Sequence, residues 1–393
     1  MGNAGQEALT SSQSTLSTRT GKTLKLDVWA PAFTGFGGGI GSFSRALAAG
    51  VNDLGHDAHL FGKLYASGSW NGMQLSGCGN SAIAQKQRFA ALCLASCGFR
   101  KPDSVISTHV NFGPVAHLAK KLMGTQFTLV AHGIDVHTSL PRTTIAALRA
   151  ADRVVAVSSW TRERVLALGG IEPERVKVLA NTLDENRFTL GAKPRALVDR
   201  YSILPGERVV LTVARLKAEE SYKGYDRLVE ALPFIQAACG KVRLVIAGDG
   251  DDTARVRAMA RQVGVEDAVT LTGFLTDAEL PDHYRLADVF AMPSTGEGFG
   301  IVYIEAMGCG TPVLAGDCDG SADAVAGGEL GLMVDPRNVR AVADGVIALL
   351  KGEGPRRWFD RATVREAVIS RFGHAAFREH LREVLLPPRG GHR

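Results

Sequence analysis

The chain has 393 residues, of which 45% are apolar and 22% are charged, a composition that predicts about two globular domains. Its 45 glycines follow no collagen-like period, which excludes a triple helix, and we expect them at tight turns and at backbone positions that approach a ligand. The 45 Lys and Arg against 40 Asp and Glu give a net charge of +5, too weak a balance to indicate a nucleic-acid-binding protein.

The polar start of the chain and its cysteines indicate the cellular compartment in which we expect it to act. Met1–Lys22 is rich in Ser, Thr and Gly, and we interpret it as a flexible tail and not a secretion signal. No apolar stretch reaches the roughly 18 residues that a transmembrane helix needs. Six scattered cysteines without a C-x-x-C pair predict unpaired thiols in a reducing compartment, so we expect the chain to act in the cytoplasm.

Short runs of aliphatic and β-branched residues alternate with amphipathic stretches along most of the chain. In the first half these runs are Leu24–Ala30, Ala58–Phe61, Val105–Thr108, Phe127–Ala131, Val154–Val157 and Val176–Leu179. In the second half they are Val209–Val213, Val242–Ala247, Val269–Thr272, Val289–Met292, Pro312–Ala315 and Leu332–Val334. Because buried parallel strands have this composition, the sequence predicts an α/β protein with two doubly wound, Rossmann-like domains.

The polar stretch Asn181–Pro205 separates the two sets of strands and ends in a turn at Leu204–Glu207. We therefore predict a tail at 1–22, one Rossmann-like domain at 23–190 and a second at 191–372. The remaining segment, 373–393, would be a C-terminal helix and tail, and the apolar face of its helix His374–Leu386 must dock on one of the domains. Open α/β domains bind ligands at the carboxyl ends of their strands, so facing edges would form a cleft.

A glycine-rich loop, Thr34–Gly41, follows the first strand and leads into a helix that we expect near Ser42. Glycines at such a junction let backbone N–H groups approach a phosphate or a sugar, although a plain glycine turn is the alternative. The loop is not a G-x-G-x-x-G dinucleotide signature, because the sixth position is Ile40, Ser42 or Ser44 in the three registers.

The second half carries a denser candidate site. The strand Val289–Met292 runs into Pro293–Gly300, and a short helix follows at about Ile301–Met307. Its glycines leave the N–H groups at the helix start bare, which suits a diphosphate. Glu297 in the loop and Glu305 in the second helical turn are then candidates to accept hydrogen bonds from sugar or ribose hydroxyls, the alternative being two solvated glutamates.

Three further side chains are expected at the same strand ends. Arg215 follows the strand Val209–Val213, and Lys223 precedes the helix that begins near Tyr225, so both can serve a phosphate if they are not ordinary surface charges. His132 closes the strand Phe127–Ala131 of the first domain and faces the same cleft. A histidine in that place is a functional candidate, whereas His109 and His117 are weaker ones.

The segment Pro293–Pro312, PSTGEGFGIVYIEAMGCGTP, resembles the E-x7-E signature of retaining glycosyltransferases of the GT-B fold, family 4. The segments VARLKAEESYKGYDRLVEAL, VRLVIAGDGDD, VTLTGFL and RLADVFAMPS are similar to that family in order and spacing. So are GGGIGSFSRALAAGVNDLGHDAHLF, AHGID and VVAVSSWTRERV, and the resemblance extends from about Lys25 to Leu386.

The resemblance implies roles for residues in both domains. Glu297 would hold the hydroxyls of the donor sugar, and Glu305 would bind the ribose. The groups that would hold the donor diphosphate are Arg215, Lys223 and the backbone of Gly298, Phe299, Gly300 and Ile301. The base would lie near Gly273 and Phe274.

From the first domain, the resemblance implies that Gly38 and Gly39 approach the phosphate or sugar and that His132 lies near the transferred sugar. Asp135 would face the acceptor. The chain departs from the family in three places: Ala214 replaces the glycine of Gly-Arg-Leu, the Arg215–Lys223 spacing is long, and Asn181–Asp184 replaces Asn-Gly-Val-Asp.

The function that the resemblance implies is the transfer of a hexose from GDP-mannose or a UDP-hexose to an acceptor glycan, with retention of configuration. It implies neither a metal nor a cofactor, and we discount Asp317-Cys318-Asp319 as a metal motif. Polysaccharide or cell-envelope glycan synthesis is the expected setting. The alternatives are a nucleotide-sugar epimerase or phosphorylase-like enzyme on the same architecture, and a non-catalytic sugar-nucleotide binder.

The segment Gln85–Lys101 has two interpretations. Lys86, Arg88, Arg100 and Lys101 beside Phe89, Leu92 and Leu94 would form a basic amphipathic surface that meets anionic lipid on the inner face of a membrane. The acceptor would then be lipid-linked. The alternative is an ordinary surface helix.

Overall fold

The computed structural model describes residues 23–33, 38–64, 67–78, 85–137 and 139–385. The predicted tail Met1–Lys22, the loop residues 34–37 and Leu386 lie outside this set. Within it, the first sheet consists of β1 Lys25–Ala30, β2 Asp57–Gly62, β3 Gly68–Trp70, β4 Met73–Gly77, β5 Ser104–Ser107, β6 Gln126–Ala131, β7 Arg153–Ala156 and β8 Val176–Val178. The second consists of β9 Arg208–Val213, β10 Val242–Ala247, β11 Val269–Leu271, β12 Val289–Met292, β13 Val313–Gly316 and β14 Leu332–Val334.

The helices cover both faces of these sheets. In chain order they are α1 Gly39–Asp53, α2 Gln85–Phe99, α3 Gly113–Met123, α4 Ile134–His137, α5 Arg142–Ala150, α6 Ser159–Ala167, α7 Arg195–Arg200, α8 Tyr225–Cys239, α9 Thr253–Gln262, α10 Leu280–Leu286, α11 Ile301–Gly308, α12 Ser321–Ala324, α13 Val339–Lys351, α14 Arg361–Phe372 and α15 His374–Leu385. The helix expected near Ser42 begins three residues earlier, at Gly39.

Both sheets have the strand order of doubly wound domains. The first runs β3-β4-β2-β1-β5-β6-β7-β8 and the second β11-β10-β9-β12-β13-β14. All pairs are parallel except β3 with β4. The apolar runs of the central strands are buried because helices cover the two faces, whereas those of the edge strands β11 and β14 are half-buried. The predicted α/β class with two Rossmann-like domains is confirmed, and the chain passes from one sheet to the other between Val178 and Arg208.

An antiparallel hairpin at the edge of the first sheet was not predicted. Strands β3 and β4 are joined by Asn71 and Gly72, with φ of 47° and 77° at the two positions. Positive φ at both turn residues is the requirement of a type I′ turn, which Asn-Gly satisfies with little strain. Trp70 pairs with Met73 across this turn.

The two C-terminal helices connect the domains. Helix α14 packs on α11 of the second domain, whereas α15 packs on α1 of the first. The Phe377 ring of α15 meets Phe43 of α1 edge-on at 5.8 Å, and a Cβ at Gly50 would lie 2.7 Å from Leu381. The apolar face predicted for the last helix therefore docks on the first domain.

Helix α2 occupies most of the segment for which a membrane surface was considered. Phe89 is buried together with Cys93 and Cys97, so the predicted apolar face contributes to the core. Arg100 is not a free basic group, because its Nε lies 3.1 Å from the carboxylate of buried Asp27. Lys86 and Arg88 remain exposed. Among the described residues, no helix combines the length and apolar character required to cross a bilayer.

Candidate active site

The loop after β12 presents an uncapped helix start at the carboxyl edge of the second sheet. Gly300 precedes α11 with φ of 82°, a left-handed conformation that favours glycine. No side chain caps the α11 N-terminus in this described stretch of the chain. Its first N–H groups therefore carry the positive end of the helix dipole without a side-chain acceptor, which suits an anionic ligand.

Lys223 and Glu297, which are far apart in sequence, form an ion pair beside this helix start. The Lys223 Nζ lies 2.8 Å from Glu297 Oε2, and both side chains are less than one-fifth exposed. Burial alone would lower the pKa of Lys223, but the Glu297 carboxylate and the nearby Tyr222 and Glu220 raise it on balance. Lys223 is therefore a fixed ammonium that keeps two N–H donors for a further anion.

The long spacing between Arg215 and Lys223 has a structural cause. Residues Ala218–Lys223 form a short 3₁₀ helix that carries Lys223 back to the strand ends. Arg215 is ion-paired with Glu220 of this helix, a carboxylate that is almost fully buried. The Arg215 side chain is 67% exposed, so it remains open to a ligand on its solvent side. The roles predicted for Arg215 and Lys223 stay predictions, but both lie at the predicted edge.

Glu305 lies in the second turn of α11 and is buried. Its Oε2 accepts a hydrogen bond of 2.8 Å from the hydroxyl of Tyr284 on α10. Burial raises the pKa of Glu305 to about 7, an effect that the Tyr284 bond and Arg187 oppose. Arg187 and Asp277 also line a cavity of about 650 Å³ that reaches Phe33 of the first domain.

Replacing Glu305 by Gln gives a prediction about stability and pH. Because the folded-state pKa of about 7 exceeds the ordinary 4.5, the wild type is stabilised by protonation of Glu305 as the pH falls through 7. A Gln keeps an acceptor for Tyr284 and does not titrate. We expect the wild type to gain about 2–3 kcal/mol relative to Glu305→Gln between pH 8.5 and pH 5. Thermal melts of both proteins across this range measure it, and parallel curves would contradict it.

His132 closes β6 and is buried where the first domain meets the second. Its Nε2 lies 2.8 Å from the carbonyl oxygen of Thr108, which only accepts hydrogen bonds, so Nε2 carries the proton and Nδ1 is the free acceptor. Burial lowers the pKa of the imidazole to about 3. The Phe43 ring meets it edge-on at 5.2 Å. His132 is therefore a neutral, fixed imidazole that offers one acceptor nitrogen.

The carboxylate of Asp135 accepts a hydrogen bond from its own chain segment. One carboxylate oxygen accepts a 2.7 Å hydrogen bond from the His132 N–H, and the other is buried with no hydrogen-bond partner among the described residues. Burial raises its pKa to about 7. The carboxylate holds the turn that carries His132, and its predicted contact with an acceptor remains a prediction.

The two domains meet at the loop before α11. A Cβ added at Gly298 would lie 1.8 Å from the His132 carbonyl oxygen, so only a glycine fits this approach. The Thr161 hydroxyl donates to the Gly298 carbonyl at 3.2 Å, and the Ser159 N–H donates to Asp323 at 3.0 Å. Neither Thr161 nor Asp323 was predicted, because their pairing depends on how two separate domains pack.

The remaining predicted residues lie on both sides of this contact. A Cβ at Gly39 would be 4.0 Å from Ile301 Cγ2, so the Gly38–Gly39 turn faces the start of α11. Phe299 is buried against Phe372 at 5.6 Å, and only its backbone can serve a ligand. Gly273 bonds to Gly248 beyond the edge strand β11, and Phe274 beside it is 78% exposed. In the part of the chain that the structure describes, no three His, Cys, Asp or Glu side chains are grouped to hold a metal ion.

Each of the two domains matches the model of a known protein family. Residues 37–187 match the family described as Glycosyltransferase Family 4, and residues 197–365 match the Glycosyl transferases group 1. A GDP-mannose-dependent α-(1-6)-phosphatidylinositol monomannoside mannosyltransferase of Mycobacterium tuberculosis is 38% identical over 61% of this chain and 66% of its own. A D-inositol 3-phosphate glycosyltransferase of Acidothermus cellulolyticus is 36% identical over 56% and 50%. The matched region thus spans less than two thirds of these relatives.

Solved structures share the whole fold at low identity. Anabaena HepE in complex with UDP and glucose superposes with a TM-score of 0.73 and 21% identity, covering 92% of this chain and 99% of that one. WaaG, a glycosyltransferase of lipopolysaccharide biosynthesis, gives 0.67 and 16% identity over 92% and 99%. The two family matches occupy the two domains that meet at this contact, and the chain belongs to the group 1, family 4 glycosyltransferases of the GT-B fold.

Proposed function

We propose that this glycosyltransferase moves a hexose from GDP-mannose or a UDP-hexose to an acceptor hydroxyl, without a metal and with retention of configuration. The observation that carries the proposal is the uncapped start of α11, flanked by the Lys223–Glu297 pair and facing His132 and Gly133 across the domain contact. An anion site and a carboxylate thus lie on one side of the domain contact, and the backbone segment that carries the neutral His132 lies on the other.

The cations stabilise the leaving group in this proposal. Breaking the bond between sugar and diphosphate builds negative charge on the phosphate oxygens. Lys223 keeps N–H donors beyond its bond to Glu297, and the exposed guanidinium of Arg215 can fork onto the same oxygens. The α11 N–H groups complete a site whose charges are fixed before the reaction, so it needs little reorganisation.

The sugar and nucleoside would extend along the strand ends in opposite directions from the diphosphate. Glu297 accepts hydrogen bonds from sugar hydroxyls, and His132 Nδ1 offers a second acceptor from the first domain. Strand β11 lies three strands from β12 in the sheet order, roughly 14 Å at strand spacing, which supports Gly273 and Phe274 as the proposed contacts of the base. Glu305 is the proposed ribose ligand.

Retention suggests that the acceptor attacks from the face that the diphosphate leaves. The acceptor hydroxyl would give its proton to the departing phosphate oxygen, because His132 Nδ1 in an imidazole of pKa about 3 is a weak base. The names of the relatives include a phosphatidylinositol monomannoside and an inositol phosphate as acceptors. We propose a polyol or glycan acceptor, lipid-linked in cell-envelope or polysaccharide synthesis.

A donor screen tests the proposal. We expect either GDP-mannose or one of a set of UDP-hexoses to raise the melting temperature, and the same compound to release its nucleotide when inositol phosphate or phosphatidylinositol monomannoside is added. Turnover in EDTA should equal turnover in Mg²⁺, and the product anomer should match the donor by NMR. A strict divalent requirement contradicts the metal-free mechanism. Isomerised donor would indicate an epimerase, and binding without nucleotide release a non-catalytic binder.

We also propose peripheral contact with anionic lipid through the outer ends of α2 and α3. Phe99 and Leu122 are 91% and 70% exposed there, and Lys121 is exposed beside them. The helix ends are neighbours, because a Cβ at Gly98 would lie 3.7 Å from the Met123 sulfur. Exposed apolar side chains at helix ends, with a lysine next to them, suit insertion into the headgroup region of an anionic bilayer.

Vesicle sedimentation measures this contact. At low salt we expect the protein to sediment with phosphatidylglycerol vesicles and not with phosphatidylcholine vesicles, and Leu122→Asp to remove the binding. Leu204→Asp, at an exposed leucine of the other domain, is the matched control and should sediment like the wild type. Equal recovery of wild type and Leu122→Asp in the pellet would refute this surface.

A further inference from the structure

Asp319 lies directly under the loop that carries Glu297. It follows β13 by three residues and is 3% exposed, whereas its neighbour Asp317 is exposed. Its Oδ2 accepts hydrogen bonds of 2.7 Å from both the Glu297 N–H and the Ser294 hydroxyl. The buried carboxylate thus joins the end of one strand to the loop that follows the adjacent strand.

The next residue completes the attachment. The Gly320 N–H donates to the Glu297 carbonyl at 2.8 Å, so the backbone of Glu297 is bonded on both sides to the pair Asp319–Gly320. Gly320 also approaches the loop closely, since a Cβ there would lie 2.1 Å from the Gly298 carbonyl oxygen. Two adjacent residues therefore determine where the Glu297 side chain begins.

Both oxygens of Asp319 are in use. Oδ1 accepts the Ser321 N–H at 2.9 Å and the Ser321 hydroxyl at the start of α12. Each oxygen therefore serves one backbone N–H, of Glu297 on one side and of Ser321 on the other. An Asn has one acceptor oxygen and one NH₂ donor, so it must leave one of these N–H groups facing a donor.

We propose that Asp319 is a positioning residue for the transfer reaction, which sets the place of the Glu297 carboxylate by holding the Glu297 backbone through Oδ2. The inference rests on the proposed role of Glu297 toward the donor sugar. Asp319 does not touch the substrate, and it acts only through the loop.

The first experiment compares Asp319→Asn with the matched control Asp317→Asn. Nucleotide release from GDP-mannose and from UDP-glucose gives kcat, and titration with GDP and UDP gives the nucleotide affinity. We expect Asp319→Asn to lower kcat by about tenfold or more while Kd for the nucleotide changes by less than about threefold. Asp317→Asn should match the wild type. An Asp319→Asn protein with unchanged kcat overturns the proposal.

A double-mutant cycle separates positioning from general stability. In a Glu297→Gln background the group that Asp319 positions is already altered, so Asp319→Asn should lower kcat by less than about threefold there. If the two losses multiply in full, Asp319 acts elsewhere and the proposal falls. If Glu297→Gln alone keeps kcat, the proposed role of Glu297 fails, a result distinct from the failure of Asp319.

Two milder variants test the proposal even if Asp319→Asn does not fold. Ser294→Ala removes a donor to Oδ2, the oxygen that holds the Glu297 loop, and Ser321→Ala removes a donor to Oδ1, the oxygen that holds α12. We expect Ser294→Ala to lower kcat more than Ser321→Ala does. An equal or reversed order would show that the Oδ2 side has no special part in catalysis.

Discussion

Substituting Glu297 by Ala is expected to lower kcat/KM by about two to three orders of magnitude while the protein stays folded. The carboxylate is the acceptor that lies beside the anion site, and its partner Lys223 is one of the two cations proposed for the diphosphate. Removing it takes away contacts with the sugar hydroxyls and frees Lys223 to move. Because the pair is largely buried and Glu297→Ala leaves the Lys223 ammonium without its partner, we expect a stability cost of about 3 kcal/mol.

Steady-state nucleotide release and thermal melts measure the two parts of this expectation. Glu219→Ala is the matched control, since Glu219 also pairs with a lysine, Lys217 at 3.7 Å, but is 76% exposed and lies away from the loop. The control should keep wild-type activity. Transfer by Glu297→Ala within a few-fold of wild type, with either donor, would remove Glu297 from the site proposed here.

Much of the fold could be predicted because its signals are local. Buried parallel strands are continuous apolar runs, and all those predicted occur within two residues of their observed ends. The hairpin β3–β4 was missed although Asn71-Gly72 is a strong turn signal, because its strands have only three and five residues and carry few β-branched side chains. The long Arg215–Lys223 spacing is a departure from the family pattern, and in the structure a 3₁₀ helix occupies the additional residues.

The position of a candidate site residue could be predicted where it follows from that residue's own segment, as for the residues at strand ends. The E-x7-E segment places Glu297, the glycines and Glu305 through local geometry alone. Contacts such as Thr161 with Gly298, or Asp319 with the Glu297 backbone, depend on the packing of strands and domains that no local pattern encodes. Asp319 was discounted because it was considered only as a metal ligand, whereas in the structure its buried carboxylate accepts hydrogen bonds from Ser294, Glu297 and Ser321.

Substituting Gly298 by Ala should reduce transfer by about a hundredfold or more by holding the domains apart. The added Cβ would lie 1.8 Å from the His132 carbonyl oxygen and 3.2 Å from the Gly133 Cα, and both of these atoms are backbone that no side-chain rotation can relieve. Gly298 itself does not need a left-handed φ, so the clash and not local strain is the cause. The nucleotide half of the site lies on one side of the contact and should still bind GDP or UDP.

Transfer kinetics, nucleotide titration and small-angle scattering together test this mechanism. We expect Gly298→Ala to show a larger radius of gyration than the wild type and a nucleotide affinity within a few-fold of it. Gly68→Ala, whose Cβ would meet no atom within 4 Å, should resemble the wild type in all three measurements. Thr161→Val removes the hydrogen bond to Gly298 without a clash and should fall between them. Normal transfer by Gly298→Ala would mean that catalysis does not require the two backbones to meet, because the clash leaves no other way for the domains to close.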